Sequence, residues 1–189
     1  MKPGIQRDLI PPDDALRLVG ALNTMKATFY DRAQQWQLLD ESGHVPAEPS
    51  YTELLGHATS AQDLSRDVLR LTGEFAASPH SAYRAGRATL AHLAMASTLS
   101  AHATSHFAET AEAALCLPRS SGPAGQHYLT NRMVIDHASA RAFLRRASES
   151  LRDAAKELED HLRFQHFLST LTPRETPTLP PSRPSGRRH

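Results

Sequence analysis

SPHSAYRAGRATLAHLAMASTLSAHATSHFAETAEAALCLPRSSGP, residues 78–123, decides the fold of this 189-residue chain. Prolines stand at 79, 118 and 123, with none between 79 and 118. Proline removes a backbone donor and clashes with the preceding helical turn, so it punctuates helices. Residues 80–117 therefore read as one long helix. The same punctuation continues outward, with prolines at 3, 11 and 12, at 46 and 49, and from 173 onward. Four proline-free stretches remain, and each repeats apolar residues every three or four positions, the period of a helix buried along one face. Leu18, Leu22, Met25, Phe29, Trp36 and Leu39 mark the first stretch. Leu54, His57, Ala61, Leu64, Val68, Leu71 and Phe75 mark the second, and Met133, His137, Ala140, Leu144, Ala147, Leu151, Ala154 and Leu158 the last.

Start signals agree with this division. Pro12 followed by Asp13 and Asp14 suits a first turn, where the missing donor costs nothing and the helix dipole favours carboxylates. Ser50 with Glu53 three residues on has the form of a capping box. Short connections between long helices favour antiparallel neighbours. The expectation is an all-α, antiparallel up-down-up-down four-helix bundle with a long last helix. Its parts are an N-terminal arm at 1–11, a bundle at 12–171 with helices at about 13–42, 50–77, 80–117 and 126–171, and a tail at 172–189. The tail, TPRETPTLPPSRPSGRRH, is rich in Pro and Arg and too poor in apolar residues to offset the entropy of ordering it, so disorder is expected there.

Composition excludes several classes. Lys+Arg 21 against Asp+Glu 20 leaves a formal charge of +1, too little to draw the chain to nucleic acid or an anionic membrane. Arg141, Arg145 and Arg152 share a face of the last helix, but Glu149 and Asp153 are interleaved at salt-bridge spacing, so a solvated face is expected and nucleic acid is not. No apolar run approaches the roughly 20 residues of a membrane span. The lone Cys116 cannot form an internal disulfide, and MKPGIQRDLIPPDD lacks the apolar core of a signal peptide, so a cytoplasmic protein is expected. Its Ala and Arg bias suggests a bacterial source. Nucleotide-binding glycine patterns and a nucleophile elbow are absent from the sequence.

The residues best suited to chemistry are histidines. HATSHFAE, 102–109, stacks His102, His106 and Glu109 on one helical face. His57 and His137 take the place of apolar residues in their own stripes. With equal rise on both arms of each hairpin, folding about Pro79 brings position 57 level with about 101, and folding about Gly122 brings 106 level with about 138. On that count His57 faces His102, and His137 faces His106, with Trp36 as a wall reached by folding about Pro46. Imidazoles converging inside a bundle suit zinc or another divalent transition metal, with Asp136 and Glu109 as partners orienting an imidazole or as a base. ELLGH at 53–57 followed by the spaced pair is loosely similar to the DinB-type bundles, whose three histidines bind a metal; the separation is shorter than in that family, and the chain is not assigned to it. Against this stands a plain reading. With His 11 in the chain, a pair four apart arises readily by chance, and a core histidine is often satisfied by a backbone carbonyl.

The end of the last helix carries Leu162, Phe164, Phe167 and Leu168, where the shorter helices leave little to cover them. Exposed apolar surface of that kind marks a partner surface. The favoured expectation is accordingly a non-catalytic bundle acting through a protein partner or as a homo-oligomer, and the alternative is a divalent-metal-binding bundle, a metal-dependent hydrolase or thiol transferase, with His57, His102, His106 and His137 at its site.

Overall fold

The computed structural model describes residues 9–171. The tail at 172–189 and most of the N-terminal arm lie outside the described residues. Four α-helices are formed among the described residues: α1 Pro12–Gln35, α2 Tyr51–Ala77, α3 Arg84–Cys116 and α4 Pro123–Leu171. Strands are absent among the described residues. Pro12 sits in the first turn of α1 with Asp13 and Asp14, and the Ser50 hydroxyl accepts from the Glu53 N–H at 3.3 Å to cap α2. Each satisfies or tolerates donors that a helix start leaves free.

α1 stops at Gln35 instead of running on to 42. Trp36 turns extended at ψ 110°, and the Arg141 guanidinium of α4 donates from Nε to the Ala33 carbonyl at 2.7 Å and from a terminal nitrogen to Gln37 Oε1 at 3.0 Å. A carbonyl that the helix end leaves without a partner thus receives a charged donor. Beyond it, Asp40 Oδ1 accepts from the Ser42 and His44 backbone N–H groups at 2.9 and 3.1 Å, a turn that competes with helix. The hydrogen bond from the Ser42 hydroxyl, and after it those from the backbone N–H groups, hold the Asp40 carboxyl below the usual carboxylate range.

α3 packs between α2 and α4, and α4 also packs along α1. Leu22 and Phe29 of α1, Ala58 and Val68 of α2, Leu93 and Phe107 of α3, and Leu144 and Leu151 of α4 belong to one buried cluster. A second, smaller cluster joins Leu38, Leu54, Ala114 and Met133. Burying a large aliphatic or aromatic side chain contributes on the order of 1.5–3 kcal/mol, so these layers are the main stabilising term. The buried face of α3 is a row of mostly small residues, Gly86, Thr89, Leu93, Ala96, Ser100, Ala103, Phe107, Thr110 and Ala114. Small side chains let two neighbours approach α3 closely. The apolar stripe through Leu93 and Phe107 therefore faces the core, while Met95 and His102 are exposed and His92, His106 and Glu109 are half-buried at its edge.

Polar contacts between helices pair residues in opposite order. Thr72 meets Ser97 and Ser65 meets Ser100 between α2 and α3, at 3.1 and 3.2 Å. Glu112 meets Arg132 and His106 meets Asp136 between α3 and α4, both at 3.2 Å. Ser148 donates to the Lys26 carbonyl at 2.9 Å, and the Ile10 N–H donates to His161 Nε2 at 3.0 Å.

Candidate functional site

Trp36, His57, Phe107 and His137 come from four successive parts of the chain and meet in one buried layer. Trp36 stacks on His57 with ring centroids 5.0 Å apart and an interplanar angle of 18°. Phe107 closes the layer edge-on, 5.0 Å from Trp36 and 5.3 Å from His137. The two imidazoles are 5.9 Å apart. His57 Nδ1 and His137 Nε2 are buried without a hydrogen-bond partner. Burial pushes the His137 pKa down to about 4, helped by the neighbouring His57 and Arg141. Burial also lowers that of His57, opposed by Glu53 one turn earlier. Both rings are therefore neutral near pH 7, the form that can accept a hydrogen bond or ligate a metal.

The four histidines expected to converge divide into different surroundings. The partner of His57 is His137, not His102. His102 is exposed and lies against Phe143, centroids 5.2 Å apart. The reason is the connection between α2 and α3. Residues Pro79–Ala82 form a short 3-10 turn, so the hairpin folds near residue 82 rather than at Pro79, and each residue of displacement moves the partner by two. The other two level estimates are close. Trp36 does reach His57, and His106 does reach the level of 136–138, but there it is Asp136 rather than His137 that faces it.

His106 lies in the groove between α3 and α4. Its Nδ1 is 3.2 Å from Glu109 Oε2, one turn along α3, and 3.2 Å from Asp136 Oδ1 across the groove. Its ring stacks on Phe143 at 5.6 Å and 10°, which fixes the imidazole plane. Asp136 is buried, with 8% of its surface exposed. Its Oδ2 accepts no hydrogen bond, although Arg132 Nε stands 3.5 Å away as an ion-pair partner. Among the described residues, one group of three His, Cys or acidic side chains brings its ligand atoms within 4.8 Å of one another: His106, Glu109 and Asp136.

At the far end of α4, Leu162 is partly buried and packs on the core, and Leu168 is half-buried. Phe164, Phe167 and Leu171 are exposed, at 52%, 56% and 61%. They recur three and four residues apart, which aligns them along one side of the helix. No helix among the described residues is long and apolar enough to cross a membrane. Comparison with family models, with curated proteins and with solved structures returns no match for this chain.

Proposed function

We propose that the four helices form an antiparallel up-down-up-down bundle which acts without catalysis, by associating with a second copy of itself through the end of α4. The topology is supported by the opposite order of the contacts between α1 and α4, α2 and α3, and α3 and α4. The association is supported by one observation above all: Phe164, Phe167 and Leu171 stand exposed in a row at the end of a helix of 49 residues, where Gln165 on another side donates to the Ile10 carbonyl at 2.6 Å. Keeping two phenyl rings and a leucine in water is costly, at roughly 25 cal/mol for each Å² of apolar surface.

Residues 172–189 are a poor cover for this row, since Leu179 is the one large apolar residue among them. A second copy supplies the same row by two-fold symmetry, and the spacing of three and four suits helix-to-helix packing. Cys116, exposed and single, takes no part in this reading.

Light scattering coupled to size exclusion, run over a range of protein concentrations, tests it. The full chain is expected to show twice the monomer mass at high concentration, and Phe164→Glu with Phe167→Glu to return it to a monomer with unchanged helicity. A strict monomer at the highest soluble concentration overturns the reading, as does a dimer that the paired substitution leaves intact.

A further inference from the structure

We infer that His106, Glu109 and Asp136 form a binding site for one divalent transition-metal cation in the groove between α3 and α4. The inference is independent of self-association through α4, since the site lies along the middle of that helix and uses none of its terminal residues.

The first support is spacing. Two donors bound to one cation at about 2.1 Å stand roughly 3.0 Å apart along an octahedral edge and about 3.4 Å apart along a tetrahedral one. The imidazole nitrogen is 3.2 Å from each carboxylate oxygen, between those values, and all three ligand atoms fall within 4.8 Å. A cation placed off the Nδ1 lone pair thus reaches both oxygens with small rotations of Glu109, whose side chain is 40% exposed and whose other oxygen accepts only a long hydrogen bond from the Ser105 hydroxyl, at 3.4 Å.

Preorganisation is the second. Glu109 follows His106 by one helical turn, so α3 fixes two donors at once. Asp136 is delivered from the facing helix, nearly buried, with Oδ2 lacking a hydrogen bond and held only by the Arg132 guanidinium at 3.5 Å. That guanidinium also pairs with Glu112 at 3.2 Å, so it bridges two acids and leaves Asp136 Oδ1 turned toward the imidazole. Phe143 stacked on His106 keeps the ring from rotating away. Ligands held by such outer contacts bind more tightly than free ones.

Charge is the third. Glu109, Glu112 and Asp136 set three carboxylates against the single guanidinium of Arg132, a local excess that attracts a dication. The nature of the donors then selects among dications. Two hard oxygens alone would suit Mg2+ or Ca2+, whereas an imidazole nitrogen beside them favours Mn2+, Fe2+ or Zn2+. With three protein donors, the remaining coordination positions would be filled by water from the open side of the groove.

Mn2+ is the probe of choice, because surface histidines elsewhere in the chain compete less well for it than for softer ions. It is titrated into chelator-treated full-length protein, with calorimetry giving stoichiometry and paramagnetic broadening of the histidine C–H resonances giving location. One ion per chain is expected, broadening the His106 resonances most strongly. Asp136→Asn and Glu109→Gln should each weaken binding more than about tenfold, while His102→Ala leaves it unchanged. Should Asp136→Asn fail to fold by circular dichroism, Glu109→Gln carries the test, since Glu109 is partly exposed. Absence of saturable binding overturns the inference. So does binding that survives Glu109→Gln undiminished, or that broadens other histidines ahead of His106.

Discussion

A proton added to His137 has no acceptor waiting for it. The ring lies against His57 and Phe107, and the nearby Arg141 would repel the imidazolium. Because folding lowers the pKa from 6.5 to about 4, the unfolded chain binds more protons between those values. Stability is thus full above about pH 6.5 and falls as the pH drops toward 4, with the lowered pKa of His57 adding in the same direction. For His137 alone the loss amounts to about 3 kcal/mol at the acid end. Urea unfolding at a series of pH values should show this slope, and His137→Leu should flatten it. Removing the unpaired Nε2 also relieves a buried polar atom, so the variant is expected to be no less stable than the parent at pH 7. A parent whose stability is level from pH 7 to 4.5 would contradict this account. Half of the layer is legible in the sequence. The apolar periods of α2 and α4 place His57 and His137 inside, and the fold about Pro46 places Trp36 against His57. That the two imidazoles face each other is not legible, since it depends on a 3-10 turn which no periodicity announces.

The proline pattern delimits the four helices because helix-breaking is a local property of the backbone. Packing faces are less local. Trp36 continues the apolar rhythm of α1 although the backbone there is extended, but beyond it Leu38 is buried and Leu39, the residue the helical period selects, is exposed, because the chain has left the helix. On α3 the buried row is made of glycine, threonine, serine and alanine more than of large residues, so it is faint in any hydrophobic pattern. Gly86 shows how tightly that row is used. A Cβ at this position would fall well inside contact distance of the His80 carbonyl, a backbone atom of the turn joining α2 to α3. Gly86→Ala must shift either the turn or the start of α3. A loss of about 1–3 kcal/mol is expected, measured by thermal or urea unfolding, whereas alanine at Gly56 or Gly73, each facing open space, should not destabilise. Equal stability for the position 86 variant would mean the turn is softer than its geometry implies.

On the scale of the whole molecule α4 is the spine. It carries the packing of α1 and α3 on its length and spans about 74 Å at 1.5 Å per residue. The N-terminal segment is tied to its far half through Ile10, His161 and Gln165, so residues more than 150 apart in the chain close the structure. The metal groove and the exposed row of phenyl rings sit at separate places along this one helix, and a test of either leaves the other intact. The chain has a single tryptophan, and it is the residue stacked on His57 at the centre of the layer rather than one on the surface. Its emission is therefore a built-in optical gauge. Unfolding should move that emission to the red as one transition, tracking the loss of helicity measured by circular dichroism. If the colour changed first, the aromatic layer would be loosening while the helices still stand.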